Sequence, residues 1–268
     1  YINGISSQSP GVRSHMGAGI AASNSTFTLN GCRIVSNAIY NASGGSEDGF
    51  FYGAGLYAKL CTVLVTNCVI ADNRLGNSQG RKNSYYGGGA CFVGGPGVEI
   101  VDSVFSDNSI RGRGYSGEGD RACFGGGIYS SAPFVLRNCT VSSNTISASR
   151  TVDGAYPPYG AGGGVYVGST ANISHCELRG NKCIGDTAAA DPANWRGGAI
   201  YAAAWLGVSN TVIMGNSNSN NAAKIGNVQG GGIYGASAMR LMNVLIVSNV
   251  NLSTNAGDLG DGIVAQGE

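Results

Sequence analysis

Three carboxylates in this 268-residue chain stand at spacings that invite chemistry: Asp72, Asp102 and Asp107. Two acids held about 5 Å apart serve a glycosidase as acid and nucleophile, and the same pair can hold a cation. Asp72 and Asp107 are 35 residues apart, so only a regular fold could bring them together. A second set is aromatic: Phe51, Tyr52, Tyr85, Tyr86, Phe124, Tyr156, Tyr159 and Trp195. Each stands just before a glycine cluster, where a variable segment ends. Rings gathered in this way on one flank would make a contact surface for a sugar or a protein. Equally, each ring could pin its own loop to the scaffold. Both sets raise the same question of what period positions them.

The answer is a repeat. A motif of Gly, any residue, Gly and an aliphatic residue, usually followed by Tyr, begins at Gly17, Gly53, Gly87, Gly125, Gly162, Gly197, Gly230 and Gly260, with Ala in place of the second Gly in the copy at 197. A second motif follows each of the first seven and ends on Asn: Asn37, Asn73, Asn108, Asn144, Asn181, Asn216 and Asn249. The distance from first Gly to Asn stays between 19 and 21 residues, whereas that from Asn to the next Gly runs from 11 to 18. A fixed core alternating with a variable connection is the mark of a solenoid with insertions on one face.

Within the core, apolar residues recur with period two, as in Val63 and Val65 or Phe134 and Leu136, which is the period of a strand. The register slips by one near Asn67, Asp102, Asn138, Asn210 and Asn243, residue types that accept left-handed backbone. The final Asn marks another corner. The spacing therefore predicts an all-β fold: a right-handed parallel β-helix of seven to eight coils, three short strands to a coil, one domain over 1–268. Its interior columns stack like on like, and the seven Asn residues form a hydrogen-bonded ladder. The aliphatic residue of the glycine motif faces in. The column Tyr57, Tyr129, Tyr166, Tyr201, Tyr234 faces out, to meet a partner or to stack on itself.

The two motifs together, "GGAI" at Gly197–Ile200 and "FSDN" at Phe105–Asn108, resemble the paired repeats of the polymorphic outer-membrane-protein family, GGA followed by Ile, Leu or Val, and FxxN. Only one copy here has Phe in the FxxN slot. The resemblance spans nearly the whole chain as repeats. It implies a bacterial surface or autotransporter-passenger-like β-helix with an adhesive role, outside the cell, and offers no catalytic residue to carry over.

Composition narrows the alternatives. Charged residues are 12% and the formal net charge is +1, so no basic stripe points to nucleic acid. No apolar run reaches the roughly 20 residues of a membrane-spanning helix. The 46 glycines have no three-residue period, which excludes collagen. The acids Glu47, Asp48, Glu118, Asp120, Asp153, Asp186 and Asp191 could attract calcium but follow no ordered loop motif, so no cofactor is expected. Of eight cysteines, Cys32, Cys68, Cys139 and Cys176 share one inward column, where they act as small hydrophobes or bridge in pairs.

Asn3 fits the corner of a preceding coil, and the chain closes on "GDGIVAQGE", one strand into an eighth. A segment of a longer array, or a subunit that associates head to tail, is expected. The functional expectation is a non-enzymatic surface β-helix, adhesive or structural. The alternative is a carbohydrate-binding or polysaccharide-cleaving β-helix that uses the aromatic flank.

Overall fold

The computed structural model describes residues 2–3, 6–7, 14–41, 49–77, 83–114, 122–150, 159–187, 194–220, 228–252 and 260–266. Every regular element among them is a strand, and the strands pair in parallel with the equivalent strand one coil away. The fold is the parallel β-solenoid that the spacing predicts.

The coil that begins at Gly125 shows the plan. Ile128–Ser130 lies in an eight-stranded glycine sheet. Phe134–Arg137 forms a first limb and Thr140–Ser142 a second. Thr145–Arg150 joins an eight-stranded ladder sheet. After residues 151–158, Tyr159–Ala161 enters a seven-stranded return sheet. A coil thus has five strand segments, where three were expected. The pairing of residues just before each glycine motif adds a strand of its own. The two limbs form one 13-stranded sheet, because Leu206–Met214 and Met239–Val247 run unbroken through the corner between them.

The corners are made by left-handed residues. Asn67, Asp102, Asn138, His175, Asn210 and Asn243 all have φ between 48° and 54°. The second corner falls one residue before the ladder, at Ser36, Asp72, Asp107, Ser143, Gly180, Gly215 and Ser248, again with positive φ. That turn sends the following Asn inward.

The seven ladder asparagines are buried. Each Nδ2 from Asn37 to Asn216 donates to Oδ1 of the next Asn at 2.8–3.0 Å. Each backbone N–H in the same run donates to that same oxygen at 2.9–3.1 Å. The second Nδ2 hydrogen goes back one coil to a carbonyl, as from Asn144 to Phe105 at 2.9 Å. An internal Asn therefore has both donors and its acceptor satisfied without water.

The glycine motif packs on this ladder from across the coil. A Cβ added at Gly127 would lie 2.9 Å from Cγ of Asn144 and 2.8 Å from the Gly164 carbonyl. The first Gly is constrained differently. Gly125 has φ +66°, and its Cβ would meet the Ile128 carbonyl at 2.2 Å. The first position admits only glycine, and at the third a bare backbone gives the closest approach to the ladder.

This contact pinches the cross-section into two lobes. One core fills the space between glycine sheet and limbs, with Ile34, Val65, Ile70, Ile100, Phe105 and Ile128 among its members. The other lies between ladder and return sheets and holds Ile39, Phe51, Leu75, Tyr85, Ile110 and Trp195.

In the Cys column, the side chain bridges rungs. Cys68 Sγ and Ser103 Oγ each donate to the carbonyl two residues back, at 3.1 and 2.8 Å. Each also accepts an N–H from the preceding rung, Cys32 to Cys68 at 3.3 Å and Cys68 to Ser103 at 3.1 Å. Cys176 and Thr211 repeat the pattern. The slot selects a short side chain that donates and accepts. The eight cysteines, all among the described residues, form no disulfide.

Replacing Asn144 with Ala strands two donors of Asn108 and one carbonyl in a dry interior. Thermal unfolding is expected to show a loss of at least about 3 kcal/mol, or roughly 6–12 °C. Asn172→Ala on the outer surface should stay within about 0.5 kcal/mol. Gly125→Ala should cost more than about 2 kcal/mol through its φ. Equal melting of all three variants with the parent would exclude the ladder–glycine contact as the organising interaction.

Candidate functional site

Asp72 and Asp107 do share one corner column on adjacent rungs, as their spacing predicts; the Asp72 N–H donates to the Ser106 carbonyl. Their backbone is left-handed, φ 53° and 56°. Asp72 accepts from Ser36 Oγ at 3.1 Å and pairs with Arg74 at 2.8 Å, in the open. Asp102 stands at the other corner, φ 49°, and is exposed. No group of three or more His, Cys, Asp or Glu gathers among the described residues. Of the acidic loop positions, all but Asp186 lie outside the described residues, as does Tyr156.

The aromatics that precede the glycine motif divide by alternation. Phe51, Tyr85 and Trp195 point into the second lobe and are fully buried. His15, Phe51 and Tyr85 stack there at 5.1 and 5.0 Å. Trp195 fills space that two glycines leave open. A Cβ on Gly160 would lie 2.2 Å from its ring, and one on Gly185 2.3 Å from its Nε1. Tyr85 and Trp195, read from the sequence as contact residues, are core residues and offer no surface. Their places are set by strand alternation in the return sheet.

Tyr52, Tyr86, Phe124 and Tyr159 are half-buried on the outside. They face the tyrosine column across the concave bend that the pinch creates at the first Gly. Tyr129, Tyr166, Tyr201 and Tyr234 stack at 5.0–5.3 Å with planes within 18°. Tyr52 and Tyr86 stack at 5.0 Å, and Phe124 bridges the columns, 4.7 Å from Tyr166. Arg196 caps the cluster 4.8 Å above Tyr234 and bonds Gln229 at 3.0 Å. The rings spend their faces on one another, so the column reads as self-packing. Cys91 occupies a tyrosine slot and is buried, which pushes its thiol well up. Burial pushes the Tyr52 and Tyr129 phenols up to about 12, helped by Tyr86 and Cys91 respectively. Tyr159 and Tyr166 move further in the same direction for the same leading reason.

An open concavity lies elsewhere among the described residues, on the outer face of the first limb. It is a trough of about 610 Å³ whose walls include Thr26, Thr28, Thr62, Leu64, Glu99, Val135 and Asn172. From Asn172 it continues past Trp205, Gly207, Ser209, Arg240 and Met242. Trp205, 37% exposed, lies over Gly207, where a Cβ would sit 2.7 Å from its ring. These residues occupy outward slots two apart on seven stacked strands, a position readable from the same alternation that marks the core.

Comparison with known proteins adds no relative: no family model, curated protein or solved structure matches the chain.

The buried phenols set an alkaline limit. Their neutral form is favoured in the fold, so the stability they contribute is complete below pH 10 and is lost as pH rises through about 12. Absorbance at 295 nm should show Tyr52, Tyr129, Tyr159 and Tyr166 ionising above free tyrosine, accompanied by a falling melting temperature; normal titration of these four near 10 with no change in melting would contradict the packing. Trp195→Ala should cost about 3–5 kcal/mol through the cavity it leaves, measured by denaturant unfolding.

Proposed function

We propose that the chain is a stiff, non-enzymatic segment of an extracellular or cell-surface β-helix, acting as an adhesive or structural rod. One observation carries this reading: the residues best suited to acid–base chemistry are used as corners. Asp102 and Asp107 hold left-handed backbone at exposed bends, and Asp72 does so at a half-buried one. The ladder and the glycine strand separate Asp72 and Asp107 from the aromatic bend. A hydrolase would need its acids converging on one concave site.

The inner polar groups are likewise committed to stiffness. Ladder amides and backbone groups bond from rung to rung, and ion pairs such as Arg179–Glu177 and Arg137–Glu99 sit on the outer faces, exposed to water. Such pairs contribute little to stability and keep a long surface soluble. The surface setting rests on the resemblance of the paired repeats to those of outer-membrane passengers.

Beads coated with the chain are expected to attach to cultured cells or to cell-wall material. The Asp72→Asn/Asp107→Asn variant should attach to the same extent. Release of reducing ends from a polysaccharide by the parent, reduced about 100-fold or more in that variant, would replace this reading with a catalytic one.

A further inference from the structure

Resting on that reading, we propose that the trough along the first limb binds a neutral polysaccharide strand lying parallel to the long axis of the solenoid. Its outward slots run over seven rungs: Thr26, Thr62, Gly97, Pro133, Thr170, Trp205 and Ala238 on one side, and Thr28, Leu64, Glu99, Val135, Asn172, Gly207 and Arg240 on the other. At about 4.8 Å per rung this is a straight track of roughly 29 Å, long enough for several sugar rings in a row.

The chemistry of the walls selects the ligand. Leu64, Val135, Pro133 and the Trp205 ring present apolar patches to the C–H faces of a pyranose. Thr26, Thr28, Thr62, Thr170 and Asn172 alternate with them as hydroxyl and amide partners for ring hydroxyls. Charge complementarity points to an uncharged chain. Over its first five rungs the only charged wall residue is Glu99, which pairs with Arg137 at 3.7 Å. The neighbouring cation, Arg137, is already engaged by Glu99, so an acidic polymer would meet no uncommitted cation along those rungs.

An extended peptide fits less well, for a reason of backbone accounting. The floor strands are paired to neighbours along the sheet, so the trough exposes no free strand edge. A peptide laid along it would leave its own N–H and C=O groups unmatched, whereas a glycan carries its polar groups as side hydroxyls.

The test uses the full chain in isothermal titration with cellohexaose, mannohexaose and N-acetylated chitohexaose. Hexagalacturonate and an extended neutral peptide serve as comparators. At least one neutral hexasaccharide is expected to bind, more tightly than either comparator. Leu64→Arg/Val135→Arg should weaken it by about tenfold or more, since two unpaired charges enter the contact. Asn172→Ala should weaken it about threefold. Thr140→Arg, on the second limb, should leave it within about twofold. If the double variant fails to fold, Val135→Lys alone, at a 37% exposed position, takes its place. The proposal is overturned if no neutral hexasaccharide binds, if hexagalacturonate or the peptide binds as well, or if the trough variants fold and bind like the parent. Attachment to cells that persists without hexasaccharide binding removes the trough and leaves the adhesive rod. Binding without attachment does the reverse.

Discussion

The rest of the structure depends on one contact, that of the asparagine ladder against bare glycine backbone. An amide side chain in a dry interior is costly unless all its hydrogen-bonding groups are matched. Here the match is supplied by repetition, since each Asn is the partner of the next. The ladder must therefore be continuous, and the side opposite it must come close enough to exclude water. Glycine permits that approach. Gly55, Gly89, Gly127 and Gly164 would each place a Cβ within 2.8–3.0 Å of an Asn side-chain atom. Ala199 shows that the third position tolerates one methyl, and Ala18 and Ala54 that the second does, whereas the first is Gly in every copy because of its positive φ.

From the pinch follow two consequences that no single repeat contains. The coil acquires two separate cores, so the second lobe can vary its packing without disturbing the first. It does so with size compensation: bulky Trp195 stands over Gly160, and Tyr85 stacks with Phe51 where the column is aromatic. The outer surface must also bend inward at the first Gly. That bend would wet the backbone of eight adjacent glycine motifs. The aromatic double column fills it, and its tyrosines are thereby explained without a ligand.

Much of this was legible in the sequence, because a solenoid writes its geometry as a period. The constant distance from Gly to Asn gave the coil, the slip at Asn67 and its equivalents gave a corner, and the seven Asn gave the ladder. The aromatic flank was misread for a definite physical reason. Residues before each glycine motif looked like the ends of loops, since the spacing to the preceding Asn varies. They form a strand whose register is fixed from the other direction, counted back from the Gly. Two residues before the first Gly stand His15, Phe51, Tyr85, Cys123, Gly160, Trp195 and Val228, all on the inward side. One residue before it stand Met16, Tyr52, Tyr86, Phe124, Ala161, Arg196 and Gln229, all outward. Period two was present, but the variable spacing hid its origin. The left-handed residue before each ladder Asn was hidden likewise, because Ser, Asp and Gly share that slot and no one type repeats.

The same accounting marks what remains uncommitted. Inside the coil, the ladder amides and the Cys, Ser and Thr slot bond from rung to rung, and in the second lobe Asn83 and Asn218 bond backbone groups of the return strands and the glycine that follows. At the glycine bend, aromatic faces serve each other. At the corners, carboxylates serve the turn. The outer face of the first limb has little such duty: its backbone is paired along the sheet, and apart from the Glu99–Arg137 pair and the Trp205 ring over Gly207 its outward side chains are not called on by the scaffold. That freedom is visible in the column Thr28, Leu64, Glu99, Val135, Asn172, Gly207 and Arg240, which changes character at every rung while the inward column beside it stays aliphatic apart from Phe27, Phe134 and Met239. A concave surface with few packing obligations is where a repeat scaffold can acquire specificity without altering the contacts that hold it together.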